Sequence, residues 1–167
     1  IFATGPLTGT GAPGGSRYMV VTKSPLTGAV TCSNSGGFIG AEMKNAGWDM
    51  IIFEGSSPEP VYLYVENDHA ELRPAADLWG KSVWETDELL HKAHQDPQLR
   101  IACVGRSAEA GCLYAAVVND LHRAAGRSGV GGIEYQAQVV AVGKGAQPVQ
   151  RGERIEPLPF GADGLIL

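Results

Sequence analysis

The chain has 167 residues, a formal net charge of -5 and 44% hydrophobic content, enough apolar material for the core of one domain. The acidic balance excludes a general grip on nucleic acid, which needs a basic face. No apolar run approaches a membrane span, no basic lead-in or cleavage pattern marks a signal peptide, and Gly 23 with Pro 10 indicate a turn-rich domain rather than a low-complexity chain.

The first five residues read as the end of a strand entering a turn. A chain that opens on Ile1 rather than methionine reads as a fragment whose N-terminus lies elsewhere. Residues 5–16 are almost all Gly, Pro, Thr, Ser and Ala, with Leu7 the one large side chain; a loop of this length is expected to be functional. Residues 17–22 form a strand by their β-branched and aromatic content, 24–28 a turn, and 29–32 a short second strand. Ser33-Asn34-Ser35-Gly36-Gly37 reads as a turn ahead of a helix, where bare N–H groups can cradle an anion. The helix covers 38–46 and stops at Gly47.

Residues 50–53 and 61–65 are two further strands. The second alternates Val61, Leu63 and Val65 against Tyr62 and Tyr64, which predicts one face packed inside. Asn67-Asp68 turns the chain into an antiparallel return over 69–73. Ser82-Val83-Trp84-Glu85 is a capping box that starts a helix running to about His94, ended by Asp96-Pro97. Strands follow at 99–104 and 113–118, a Gly/Arg loop at 119–132, and a last strand at 139–142. The domain therefore spans 1–143, and residues 144–167 form a tail not assigned to the core. Without strict strand–helix alternation, the order predicts an α+β fold: a mostly antiparallel two-sheet domain with short helices. The strand–helix–strand sets on either side suggest an internal duplication.

Cys32, Cys103 and Cys112 form no Cys-x-x-Cys and read as small buried residues in a reducing, cytoplasmic compartment. His69, His91, His94 and His122 lie in polar contexts and read as surface histidines, with no companions to complete a zinc site. Among the carboxylates Glu42, Asp49, Glu54, Glu109 and Asp120, Glu109 is the best lone candidate for acid/base work, though capping suits it better. Trp48, Trp79 and Trp84 read as core or interface residues. Gly9-Thr10-Gly11-Ala12-Pro13-Gly14 matches the letters of a dinucleotide fingerprint, but Pro13 falls where the helix should begin and no dinucleotide unit follows.

Three glycine-rich segments carry the functional expectation. They are Gly14-Gly15-Ser16-Arg17, the Ser33–Gly37 turn, and Arg123-Ala124-Ala125-Gly126-Arg127-Ser128-Gly129. Guanidinium groups match phosphate oxygens, and asparagine offers a donor and an acceptor together. The three segments are expected to meet around one phosphorylated ligand.

These same segments resemble the N-terminal domain of the aldehyde ferredoxin oxidoreductases. The resemblance rests on Thr4-Gly5-Pro6-Leu7-Thr8-Gly9-Thr10-Gly11-Ala12-Pro13, Arg17, Ser24-Pro25-Leu26-Thr27-Gly28 and Ser33-Asn34-Ser35-Gly36-Gly37-Phe38. It continues through Lys44-Asn45-Ala46-Gly47-Trp48-Asp49, Leu78-Trp79-Gly80-Lys81 and Ala125-Gly126-Arg127. It implies a base for a tungsten (in some members molybdenum) bis-pterin cofactor, contacted by Arg17, Asn34, Gly36, Arg123, Ala124 and Gly126. It also implies oxidation of aldehydes to carboxylic acids, with a [4Fe–4S] cluster in later domains passing electrons to ferredoxin. The implied partners are the remainder of the oxidoreductase and ferredoxin, with neither nucleic acid nor membrane. Two segments depart from the family pattern: Gly105-Arg106-Ser107-Ala108-Glu109, and the stretch after Arg127, where Gly-Ser-Lys is lost and Glu134 adds a negative charge. The alternative is a non-catalytic scaffold or subunit module that has lost full cofactor binding.

Overall fold

The structure, a computed structural model, describes residues 1–132 and the backbone of 137–142. Four strands form the first sheet: β1 (Phe2–Thr4), β2 (Tyr18–Lys23), β3 (Val30–Ser35) and β4 (Met50–Ile51), in the order β3-β2-β1-β4 with every pair antiparallel. Six form the second: β5 (Val61–Glu66), β6 (His69–Pro74), β7 (Arg100–Cys103), β8 (Val117–Asn119), β9 (Arg123–Ala125) and β10 (Ala137–Val142), in the order β6-β5-β10-β7-β8-β9. Its β10–β5 pair is parallel and the others antiparallel. With the helices α1 (Ile39–Asn45), α2 (Val83–His94) and α3 (Arg106–Glu109), this is the α+β, two-sheet arrangement the element order predicts.

The main core lies between the sheets. Tyr18, Val20 and Ile51 of the first sheet, Ile39 and Met43 of α1, and Leu63, Val65 and Ala102 of the second all belong to it. Gly40 makes the close approach of α1 to β2 possible, because a Cβ there would stand 2.9 Å from the Ser16 carbonyl oxygen and 3.2 Å from the Tyr18 Cβ. Trp48 packs against this core and donates from Nε1 to the Asn67 carbonyl at 2.8 Å, tying the end of α1 to the β5–β6 hairpin. The other two tryptophans are exposed, Trp79 at 42% and Trp84 at 64%.

Strand β5 departs from the one-faced expectation. Leu63 and Val65 enter the main core, but Tyr62 and Tyr64 are buried too, in a second cluster with Leu90, Leu99, Ile101 and Cys103. The reason is α2, which covers the far side of the second sheet. Its N-terminus is the predicted capping box: Glu85 N donates to Ser82 Oγ at 3.3 Å and Ser82 N to Glu85 Oε2 at 2.7 Å, a device that contributes about 1 kcal/mol.

Four further expectations shift. The polar run Ser33–Ser35 is strand, not turn: β3 extends to Ser35 because Ser33 and Ser35 are opposite Val20 and Tyr18 and find hydrogen-bond partners for their buried hydroxyls. The strand expected over 50–53 keeps two residues, and the one expected over 113–118 starts at Val117. Part of the Gly/Arg loop is strand β9, paired with β8, followed by a 3-10 turn at Arg127–Gly129. Glu134 and the tail 144–167 lie outside the described residues. No helix among the described residues is long and apolar enough to cross a membrane.

Candidate functional site

The site is assembled around Asn119, the last residue of β8, 1% exposed. Its Oδ1 accepts from the Tyr18 hydroxyl at 3.0 Å and from Ser35 Oγ at 2.7 Å. Its Nδ2 donates to the Gly36 carbonyl at 2.9 Å and to Asp120 Oδ2 at 2.7 Å. One buried amide thus uses both ends to hold β2, the end of β3 and the β8–β9 turn together, and each buried polar atom it meets is satisfied. Burial, with the Asp120 charge adding, pushes the Tyr18 phenol well above its ordinary value, so the hydroxyl stays a donor.

Asp120 completes the clamp. Its Oδ2 also accepts from Phe38 N at 2.7 Å, at the start of α1, where a carboxylate suits the positive end of the helix. Its Oδ1 is buried without a partner, and Asp120 and Leu121 both take positive φ, at 47° and 59°. Two successive side-chain-bearing residues in the left-handed region are strained, and the network holds them there. Gly37, at φ 94°, is required by the same packing. A Cβ on Gly37 would collide with the Asp120 carboxylate, stand 2.7 Å from Asn119 Nδ2, and lie 3.2 Å from Arg123 Cγ.

Of the residues expected to bind a ligand, Gly36 and Arg123 adjoin this clamp, while Arg17 and Asn34 pair with each other on the other face of the first sheet from Ser33 and Ser35. Arg17 Nη1 donates to Asn34 Oδ1 across the first sheet. Gly36 follows β3 directly and is fixed by its carbonyl bond to Asn119. Arg123 begins β9 beside Gly37, Ala124 pairs with Val118, and Gly126 caps the 3-10 turn. That turn is tied back to β3 by Arg127 N donating to Ser33 Oγ at 3.2 Å. Arg17, Arg123 and Arg127 are exposed, and none of the ion pairs among the described residues uses them.

The upstream pair is different. Gly15 is a packing glycine: its carbonyl accepts from Gly9 N at 2.8 Å, and a Cβ would stand 2.7 Å from the Leu7 carbonyl oxygen. The downstream segment also divides. A Cβ at Gly131 would lie 2.5 Å from the Ala116 carbonyl carbon and one at Gly132 2.7 Å from the Cys112 carbonyl oxygen, so these glycines serve chain packing. Gly36 and Gly126 do not. A Cβ at Gly36 meets nothing within 4 Å, one at Gly126 meets Ala116 Cβ at 3.9 Å, and neither has a positive φ.

The other candidates resolve as structural. Glu109 Oε2 accepts from Gly80 N at 2.9 Å and so holds the turn that precedes α2. Cys103 is buried, with its thiol pushed up to about 12 by burial and the nearby Asp87, whereas Cys32 and Cys112 are exposed, contrary to the buried expectation. His94 is not a free surface residue: it is stacked on Tyr64 at 4.3 Å and bonded to Tyr62. Among the described residues no group of His, Cys, Asp and Glu could hold a metal ion. Sequence reasoning missed Asn119 as the hub. The signal was the alternation Val117-Val118-Asn119, which puts Asn119 on the inward side with Val117.

The description "Aldehyde ferredoxin oxidoreductase, N-terminal domain" matches residues 1–144. The chain belongs to the aldehyde ferredoxin oxidoreductase family. It is 49% identical over 160 residues to the tungsten-containing aldehyde ferredoxin oxidoreductase of Pyrococcus abyssi, covering 93% of this chain and 26% of that protein. It is 52% identical over 142 residues to the enzyme of the same description from Pyrococcus furiosus, covering 85% of this chain and 24% of that one. Among solved structures, a chain of the active site complex BamBC of benzoyl coenzyme A reductase superposes with a TM-score of 0.81 at 40% identity, covering 89% of this chain and 23% of its own. The chain thus spans about a quarter of the length of these family members, and what matches is the N-terminal domain.

Proposed function

We propose that the chain is the cofactor-holding domain of a tungsten-dependent aldehyde oxidoreductase, and that Arg17, Asn34, Gly36, Arg123, Ala124 and Gly126 hold a phosphorylated pterin. The observation that carries this reading is the pair Gly36 and Gly126. The fold needs neither to be glycine: no positive φ applies, and the space a side chain would take at Gly36 is open. Bare backbone beside guanidinium groups outside any described ion pair suits a ligand that comes close to the chain.

The donor set fits a phosphorylated heterocycle. Arg17 and Arg123 offer planar forks for phosphate oxygens. With the Asn34 carbonyl oxygen taken by Arg17, that side chain keeps its amide N–H donors for a polar ring edge. Ala124, small and exposed on β9, adds backbone without bulk. Asn119 and Asp120 hold this surface in place without touching the ligand. When bound, a bis-pterin tungsten or molybdenum centre supplies the redox chemistry that converts an aldehyde to a carboxylic acid, with a [4Fe–4S] cluster and ferredoxin taking the electrons. The domain's part is orientation and charge compensation, and the isolated chain is expected to be inactive.

The test uses a chimera in which residues 1–142 replace the aligned region of the Pyrococcus abyssi relative, produced with tungstate. Tungsten by mass spectrometry and pterin by fluorescence after oxidation are read beside far-UV circular dichroism. Gly36→Val and Arg17→Ala should each lose most of the cofactor while the fold persists. Parental cofactor content in Gly36→Val would remove this site, and persistent absence of metal and pterin from the parent would favour the non-catalytic scaffold.

A further inference from the structure

Phe38 opens α1 at the edge of the candidate site, with its ring 58% exposed. Its backbone is fixed at both ends. The N–H donates to Asp120 Oδ2 at 2.7 Å, and the carbonyl accepts from Glu42 N at 2.9 Å. One face of the ring is taken: the guanidinium carbon of Arg100, from the start of β7, lies 4.5 Å from the ring centroid, a cation–π contact. The buried Arg100 Nε has no hydrogen-bond partner among the described residues, so that nitrogen does not set where the side chain lies. With one face against Arg100, the exposed area of Phe38 belongs to the opposite face and the ring edge.

The neighbours of the ring limit what suits that face. Gly36 lies two residues before it with open space where a Cβ would stand, and Arg123 Cγ is 3.2 Å from the position a Cβ on Gly37 would take. Bare backbone, a guanidinium outside any described ion pair and a flat apolar ring thus occur side by side. An apolar side chain would leave Arg123 without a counter-charge, and a lone phosphate would leave the ring in water. A phosphorylated planar heterocycle meets both.

We propose that the open face of Phe38 is a stacking platform for the ring of that heterocycle. The inference rests on the cofactor reading above and adds a residue that phosphate recognition alone does not require. The platform is already ordered by Asp120, Glu42 and Arg100, so little freedom is lost when a ring settles on it. Arg100 on the far side draws electron density from the open face, which suits an electron-rich partner such as an amino-substituted pterin ring. A bis-pterin carries two rings, so a ring edge at Asn34 and a ring face at Phe38 are compatible.

The test titrates the 167-residue chain with 6-hydroxymethylpterin phosphate, read by fluorescence anisotropy, with inorganic phosphate as competitor. Phe38→Leu keeps an apolar side chain and removes the ring. It should weaken the pterin phosphate about tenfold and leave the phosphate competition constant unchanged. Phe38→Trp should keep the affinity and quench the pterin emission. In the chimera described above, Phe38→Leu should lose most of its pterin with an unchanged far-UV spectrum. Parental affinity for the pterin phosphate in Phe38→Leu, with Arg17→Ala weakened, would overturn the platform and leave the phosphate site standing. An equal loss of pterin phosphate and phosphate in Phe38→Leu would make the ring structural, and a bound but unquenched Phe38→Trp would place the heterocycle elsewhere. Parental pterin content in the Phe38→Leu chimera with lowered thermal stability would assign the ring to polypeptide contact. Each of these three results overturns the platform. A parent chain that binds neither probe would overturn the cofactor reading and the platform together.

Discussion

The Tyr18 hydroxyl donates to Asn119 Oδ1 at 3.0 Å across 101 positions of sequence. This bond joins the first sheet to the second in the interior, and the same amide holds Ser35, Gly36 and Asp120. Position and stability of the candidate site therefore have one origin. The loop after β3 is held by a residue from the other sheet.

Replacing Asn119 with alanine leaves the Tyr18 and Ser35 hydroxyls and the Gly36 carbonyl without this partner. Unsatisfied buried groups cost about 1–3 kcal/mol each, so a loss of about 3 kcal/mol is expected by urea denaturation. Tyr18→Phe removes one donor and should cost about 1 kcal/mol. The double variant should fall short of the sum of the two, because both act on one bond. Strict additivity would mean that the hydrogen bond carries no coupling.

Gly37 and Gly36 are neighbours with opposite requirements. Gly37→Ala forces a methyl group into Asn119 and Asp120 at φ 94°, a combination of left-handed strain and overpacking worth about 2–4 kcal/mol. Gly36→Ala points its methyl group into open space and should change stability by less than about 0.5 kcal/mol. Thermal melts of the two cofactor-free variants check the contrast. A Gly36→Ala protein as unstable as Gly37→Ala would show that the open space is not there.

His94 predicts a pH dependence. Arg73 has donors only, so its contact with Nδ1 at 3.3 Å makes that nitrogen the acceptor, and Nε2–H donates to the Tyr62 oxygen at 3.0 Å. Protonating Nδ1 would break the Arg73 bond and set two positive charges together. Burial first, and the Arg73 guanidinium next, lower the His94 value below its ordinary 6.5, against the opposing pull of Asp96, Glu66 and Glu71. A lowered folded value means the unfolded chain takes the proton first. The stability from neutral His94 is complete above 6.5 and is lost as pH falls through the folded value. The urea midpoint should drop as pH falls below 6.5, and His94→Gln should flatten that part of the curve. An unchanged slope in His94→Gln would place the dependence elsewhere.

The local features were legible because they are written in contiguous residues. The capping box at Ser82–Glu85, the Asn67-Asp68 turn and the stop of α1 before Gly47 each depend on side chains within one turn of the backbone. Tyr62 and Tyr64 were misread because a period of two separates the faces of a strand but cannot say that a helix will cover the second face. Ser33 and Ser35 were read as turn because serine is a poor strand former by itself. Their place in β3 depends on Asn119 and Arg127 supplying partners from far along the chain.

By itself the sequence determined the class of fold and the family, since composition, spacing and ordered motifs are properties of the chain read end to end. Only the tertiary structure decided which glycines are free to meet a ligand. Gly15, Gly37, Gly131 and Gly132 are filled against by neighbours, whereas Gly36 and Gly126 are not. The letter is the same at all six positions; what differs is the space beside each Cα, and that space is made by residues up to a hundred positions away.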